Sequence, residues 1–91
     1  MAEQVARVGV DVVGGGTIIG PGATSVTVND KVISVLNDKV QTHGDPPHVL
    51  PPIVQGAPTI FAEDKKINLT SISRATCSHT VDTGSSDTFG L

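Results

Sequence analysis

Short runs of β-branched residues alternate with glycine, proline and polar pairs along most of the chain. The valine-rich run 8–13 ends at the glycine triplet 14–16, and Thr17-Ile18-Ile19 follows. Runs of this kind, closed by turn residues, predict strands joined by tight turns. The proline pairs 46–47 and 51–52 exclude both helix and central strand where they occur. The pattern therefore predicts an all-β chain.

Two stretches each predict a β-hairpin with a two-residue turn. In the first, Asn29-Asp30 separates strand residues 25–28 from residues 31–36. In the second, Glu63-Asp64 stands between two further runs of β-forming residues. Two strands divided by two residues that tolerate left-handed backbone are typical of a hairpin.

The two hairpins belong to an internal repeat. A shift of 34 positions superposes them without a gap, and the matching pairs are Gly22 with Gly56, Ala23 with Ala57, Asp30 with Asp64, Lys31 with Lys65, Ile33 with Ile67 and Thr42 with Thr76. Repeat one spans about 16–43 and repeat two about 53–77, and a partial third copy at about 81–91 resembles the start of repeat two. We interpret 1–91 as one domain, a small cone or prism with one β-unit per face.

The repeat also predicts which side chains face the core and which face outward. Four pairs stay apolar in both copies and predict the core: Val26 with Ile60, Val28 with Ala62, Ile33 with Ile67, and Val35 with Leu69. Two further pairs do not stay apolar and are expected to face solvent or a partner: Val32 with Lys66, and Leu36 with Thr70. Val32, Leu36 and Val40 are the apolar candidates for a docking surface.

All three histidines and the only cysteine fall in two short stretches, 42–48 and 77–79. In the repeat register His43 coincides with Cys77, so both copies deliver a potential ligand at one position. Zinc prefers four nitrogen or sulfur ligands, and a lone cysteine cannot staple the chain by a disulfide. We predict one structural ion, zinc or iron, held by His43, His48, Cys77 and His79.

Other functions compete with this prediction. The four residues could instead be three surface histidines and one buried cysteine in a small β-repeat adaptor that binds a protein. A nucleophilic set of Cys77, His79 and Asp82 is disfavoured, because the first two share one side of an extended strand and no oxyanion loop is evident. We therefore expect no enzyme. With net charge −3 and six lysines and arginines in no basic cluster, we expect no nucleic-acid partner.

The sequence around both hairpins resembles that of the PAAR-repeat proteins. Gly20-Pro21-Gly22 or Gly56-Ala57-Pro58 leads to a serine or threonine, a short strand, a two-residue turn and a strand that begins with lysine. Ala6-Arg7-Val8-Gly9, followed closely by Asp11, is similar to another stretch of that family. The chain departs from the family where the Pro-Ala-Ala-Arg strand is lost and where Val12-Val13 replace an early histidine, so His43 and His48 would supply the missing ligand.

This resemblance implies a fold, a partner and a place of action. It implies a conical pseudo-three-fold arrangement of β-hairpin repeats with a metal near the apex. It implies a non-enzymatic tip protein that caps a trimeric β-helical spike of a contractile injection machine, with one monomer per trimer. The tip would sharpen the spike for membrane piercing and contact the target membrane transiently. The compact chain fits the baseplate of a bacteriophage tail, and thus the virion. The type VI secretion spike is the alternative, with export from the bacterial cytoplasm by that machine.

Overall fold

The computed structural model describes residues 3–44, 48–86 and 88–90. Within these ranges the chain forms short β-strands and no helix, which confirms the all-β prediction. The strands are β1 (Glu3–Gln4), β2 (Val12–Val13), β3 (Gly16–Gly20), β4 (Ala23–Val28), β5 (Lys31–Ile33), β6 (Lys39–Val40), β7 (Ile53–Gln55), β8 (Phe61–Ala62), β9 (Lys65–Lys66), β10 (Arg74–Ala75) and β11 (Phe89–Gly90). The described residues contain no helix of the length and apolarity that a membrane span requires.

Both predicted hairpins are present. Strand β4 pairs with β5, and β8 pairs with β9, each pair antiparallel. Asn29 and Asp30 have φ of 54° and 65°, and Glu63 and Asp64 have φ of 50° and 66°. Two consecutive left-handed residues give the turn whose twist matches that of the flanking strands. The sequence therefore placed both turns correctly.

Three backbone segments, 4–8, 32–36 and 66–70, are joined in a closed ring of hydrogen bonds. The N–H of Ala6 donates to the carbonyl of Asn68, Asn68 to Ser34, and Ser34 back to Ala6, at 2.9 to 3.0 Å. A second set closes the ring in the opposite direction: the N–H of Val8 donates to the carbonyl of Val32, Leu36 to Lys66, and Thr70 to Gln4, at 2.8 to 2.9 Å. Each segment therefore binds its two neighbours in the same way.

The third hairpin is assembled from the two ends of the described chain. Strand β11 pairs with β1, with Phe89 opposite Gln4. The corresponding pairs are Phe61 with Lys66 in β8 and β9, and Thr27 with Val32 in β4 and β5. Strand β11 therefore pairs with the start of segment 4–8 in the same way that β8 pairs with the start of segment 66–70.

Buried side chains fill two clusters. The first holds most of the predicted core, with Val28, Ile33, Val35, Ala62, Ile67 and Leu69 buried, and Val26 and Ile60 partly buried against them. The second contains Ala6, Val13, Ile18, Val40, Ile53, Ala75, Cys77 and Val81. Residues of the β4–β5 and β8–β9 hairpins line the first cluster. The second cluster contains Cys77, which is one of the four candidate ligands.

Two of the outward positions were predicted wrongly. Val40, a candidate for the docking surface, is 0 % exposed, because it packs into the second cluster on the strand paired with Ile18. Thr70 is 7 % exposed, because its Oγ1 accepts the N–H of Gln4 at 3.0 Å within the ring of segments. A polar side chain can be buried where it satisfies a backbone donor.

Candidate metal centre

The proline-rich loop brings His43 and His48 together through backbone contacts at its ends. The N–H of His43 donates to the carbonyl of His48 at 3.0 Å. The N–H of Leu50 donates to Oγ1 of Thr42 at 3.1 Å. Residues 45–47, with the first proline pair, lie outside the described residues. The two contacts hold the described ends of the loop side by side.

A tight turn presents Cys77 and His79. The N–H of Ser78 donates to the carbonyl of Ala75 at 3.0 Å, and the N–H of Ala75 donates to the carbonyl of His79 at 2.9 Å. Ser78 has φ of 74°, so the left-handed residue lies between the two ligand candidates. The adjoining N–H of Thr76 donates to the carbonyl of Pro52 at 3.0 Å and ties the turn to the proline-rich loop.

The structure brings all four predicted residues to one place. One ligand atom from each lies within 4.8 Å of the others. His43 Nε2 is 3.0 Å from His79 Nδ1, and Cys77 Sγ is 3.8 Å from the first nitrogen and 3.7 Å from the second. Around a tetrahedral zinc ion, neighbouring nitrogens lie about 3.3 Å apart and nitrogen and sulfur about 3.6 Å apart. The group could hold a metal ion.

The hydrogen bonds around the histidines suit metal binding. His43 Nδ1 lies 2.9 Å from the carbonyl of Gln41. If Nδ1–H donates to this carbonyl, the lone pair of Nε2 is free to bind a metal at the group. Many metal-binding histidines likewise donate their other ring N–H to a nearby acceptor. Within the described residues, Nδ1 of His48 is buried and has no hydrogen-bond partner. Because a buried polar atom without a partner is costly, a bound cation would remove this deficit.

Two contributors to the group act through the backbone and not through a side chain. The carbonyl of Gln41 could belong to any residue type, so the sequence gives no sign of its role. The glycine triplet was predicted to be a turn, and Gly14 and Gly15 do form the turn between β2 and β3. Gly14 also lies against His79 and Gly16 against His43, and the sequence signalled this second role only by its run of three glycines.

The third member of the hypothetical nucleophilic set supports the turn. The Asp82 carboxylate accepts the N–H of Gly14 at 2.9 Å, and Asp82 is exposed. Cys77 is buried, and its Sγ lies at a similar distance from two imidazoles rather than being paired with one. This arrangement resembles a shared ligand set more closely than a nucleophile with a single base.

Comparisons with known proteins give no family. No protein-family model matches the chain, and no curated protein matches it. The geometry of the four residues and the ring of three segments are therefore the observations on which a function can be based.

Proposed function

We propose that this protein is a non-enzymatic tip that caps the blunt end of a trimeric β-helical spike in a contractile injection machine. In this proposal the three ring segments and their hairpins form a pseudo-three-fold cone, and the tip sharpens the spike for membrane piercing. We place the tip in a bacteriophage tail baseplate, with the type VI secretion spike as the alternative. The observation that carries the proposal is the closed ring of equivalent hydrogen bonds among segments 4–8, 32–36 and 66–70.

The ring explains how one monomer could match a three-fold partner. A trimeric spike ends in three identical sets of strand ends, and a single chain can cover all three only if it offers three similar surfaces. Here the three hairpins β4–β5, β8–β9 and β11–β1 have corresponding pairs in register. Covering the spike's open strand ends would also protect edges that otherwise favour aggregation.

The distribution of ligands and hairpins gives the proposed cone a direction. Cys77 lies in the second cluster, whereas the hairpins β4–β5 and β8–β9 pack on the first. Phe61 and Phe89 occupy corresponding hairpin positions and are 57 % and 51 % exposed. Exposed aromatic side chains are enriched at protein interfaces. We assign the docking surface to the hairpin end and the metal to the opposite, narrow end.

The metal would act as a structural staple. His43, His48, Cys77 and His79 would hold one zinc or iron ion, whose bonds would join the proline-rich loop to the turn at 75–79. A narrow end has too few residues for an apolar core of its own, and small domains often depend on a metal for that reason. The buried, unpartnered Nδ1 of His48 and the three-histidine, one-cysteine set support this role.

Binding to a purified trimeric β-helix tests the docking proposal. Native mass spectrometry should find one copy of this protein per trimer. A Phe61→Ser, Phe89→Ser double variant should weaken binding about tenfold or more, because buried aromatic anchors dominate many interfaces. Val54→Ser is the matched control, since Val54 is 51 % exposed but lies on β7, outside the hairpins.

The alternatives would give different results. Three copies per trimer would contradict a pseudo-three-fold cap, and so would equal losses in the control and the double variant. Binding of a monomeric partner, with none to the β-helix, would support the adaptor.

Alkylation of Cys77 distinguishes the metal site from a catalytic cysteine. A metal-bound thiolate should resist alkylation until a chelator is added, whereas a catalytic thiolate would react without one.

A further inference from the structure

Two glycines of the β2–β3 hairpin leave space that the imidazole rings use. A Cβ atom added at Gly14 would lie 1.9 Å from His79 Nδ1 and 2.4 Å from its Cγ. A Cβ atom added at Gly16 would lie 2.6 Å from His43 Nδ1 and 2.4 Å from the Gln41 carbonyl oxygen. Gly15, between them, would meet nothing within 4 Å. The contacts are therefore specific to the two glycines that face ligand candidates.

Backbone conformation alone does not account for both glycines. Gly14 and Gly15 have φ of 57° and 97°, in the region that favours glycine. Gly16 lies in β3 and has no left-handed φ, so a side chain there would meet no backbone strain. At Gly16 the observation that calls for glycine is the space taken by the His43 ring, the Gln41 carbonyl and Val40 Cγ1, the last at 2.9 Å from the added atom.

We infer that the β2–β3 hairpin forms one wall of the metal centre, and that Gly14 and Gly16 are positioning residues that set the orientation of His79 and His43. This inference rests on the proposed metal site. Ordinary contact begins near 3.4 Å, so each ring would have to move by several tenths of an ångström or more to accept a methyl group. Metal–ligand distances in a sound site stay within about 0.2 Å of their standard values, and ring movements larger than this would weaken binding.

The role of Gly16 also includes the partner of His43. The carbonyl of Gln41 accepts from His43 Nδ1 and so fixes which nitrogen faces the group. A methyl group at position 16 would crowd this carbonyl as well as the ring. Loss of such an outer partner typically lowers metal affinity about 10-fold to 100-fold.

Cobalt(II) titration of four proteins tests the inference: wild type, Gly14→Ala, Gly15→Ala and Gly16→Ala. The visible absorption of cobalt bound to thiolate and imidazole reports both affinity and geometry. We expect about a 10-fold to 100-fold loss of affinity and altered bands for Gly14→Ala and Gly16→Ala. Gly15→Ala should bind cobalt within about threefold of wild type, because it adds left-handed strain without touching a ligand.

Thermal unfolding in excess chelator separates positioning from general destabilisation. Both variants place alanine at positive φ in one turn, and without metal Gly14→Ala should lose more stability than Gly15→Ala, because only its methyl group also meets the His79 ring. Equal cobalt affinities for these two variants would overturn the inference, and so would wild-type affinity in Gly16→Ala. If Gly14→Ala does not fold, Gly16→Ala still decides, because it carries no left-handed strain. Failure of the wild type to bind cobalt would instead overturn the proposed metal site.

Discussion

Removal of the Asp38 carboxylate should destabilise the protein more than removal of the Ser73 hydroxyl. Both side chains cap a ring segment: Asp38 Oδ2 accepts the N–H of Val35, and Ser73 Oγ accepts the N–H of Leu69, each at 2.9 Å. Val35 and Leu69 are equivalent in the two repeats, and both caps are buried, with 2 % and 0 % exposed. The two caps nevertheless differ in how many donors they satisfy.

The difference can be estimated from the contacts. Asp38 also accepts the Ser34 hydroxyl at 2.9 Å and the N–H of the half-buried Gly22 at 3.0 Å. An unsatisfied buried donor costs about 1 to 3 kcal/mol, and the half-buried N–H of Gly22 can turn to water, so the two buried donors left by Asp38→Ala should together cost about 2 to 6 kcal/mol. Ser73→Ala leaves one backbone donor and should cost about 1 to 3 kcal/mol. The free energy of unfolding of a native protein is only about 5 to 15 kcal/mol, so Asp38→Ala could remove most of it.

Urea unfolding followed by far-ultraviolet circular dichroism measures both costs. The chain has no tryptophan or tyrosine, so intrinsic fluorescence is a poor probe. Asp38→Asn is the matched control, because it keeps the shape and one acceptor oxygen and should fall between the other two. Equal costs for Asp38→Ala and Ser73→Ala, or a cost below about 1 kcal/mol for Asp38→Ala, would refute the assignment of these contacts.

Two further predictions concern pH and the ring. Glu63 accepts the hydroxyl and the N–H of Ser25, and these hydrogen bonds lower the pKa of its carboxyl below the ordinary value of 4.5. Its stabilising contribution is therefore present above pH 4.5 and lost as pH falls through the lowered pKa, so urea midpoints of wild type and Glu63→Gln should converge in acid. A constant gap down to pH 2 would contradict this. Asn68, 0 % exposed, donates to Ser34 Oγ at 2.7 Å and to the Val35 carbonyl at 2.9 Å. Asn68→Asp would bury a carboxylate there and should cost about 3 kcal/mol or more in the same assay, whereas a cost below about 1 kcal/mol would show that the ring tolerates charge.

The sequence predicted the elements whose signals are local. The Asn29-Asp30 and Glu63-Asp64 turns depend on residues that accept left-handed backbone, and the alternating apolar pairs depend on the period of a strand. The co-location of the ligand candidates also followed from the repeat, since His43 and Cys77 share one register position. Whether they bind a metal remains a prediction.

The part of the ring formed by segment 4–8 was missed for a physical reason. Arg7 stands where Val35 and Leu69 stand in the other segments, so the apolar pattern is broken there. The structure accommodates Arg7 through the buried Asp11 carboxylate, which accepts its Nε at 2.9 Å and its backbone N–H at 2.8 Å. An ion pair that replaces a core side chain depends on a tertiary contact, which periodicity does not reveal.

The spacing of the segments also hid this equivalence. Val5 and Ile33 lie 28 positions apart, whereas Ile33 and Ile67 lie 34 apart. The register found between the two full repeats therefore does not extend to the first segment, and the hydrogen bonds of the folded chain are needed to see it.

The metal content of the purified protein tests the central claim most directly. Elemental analysis of wild type and Cys77→Ser, both purified without added metal or chelator, gives the ratio of ion to chain. The account predicts about one equivalent of zinc or iron in wild type and less than half of that in Cys77→Ser, because the thiolate is one of only four ligands. Less than about half an equivalent in wild type, unchanged by the substitution, would contradict it.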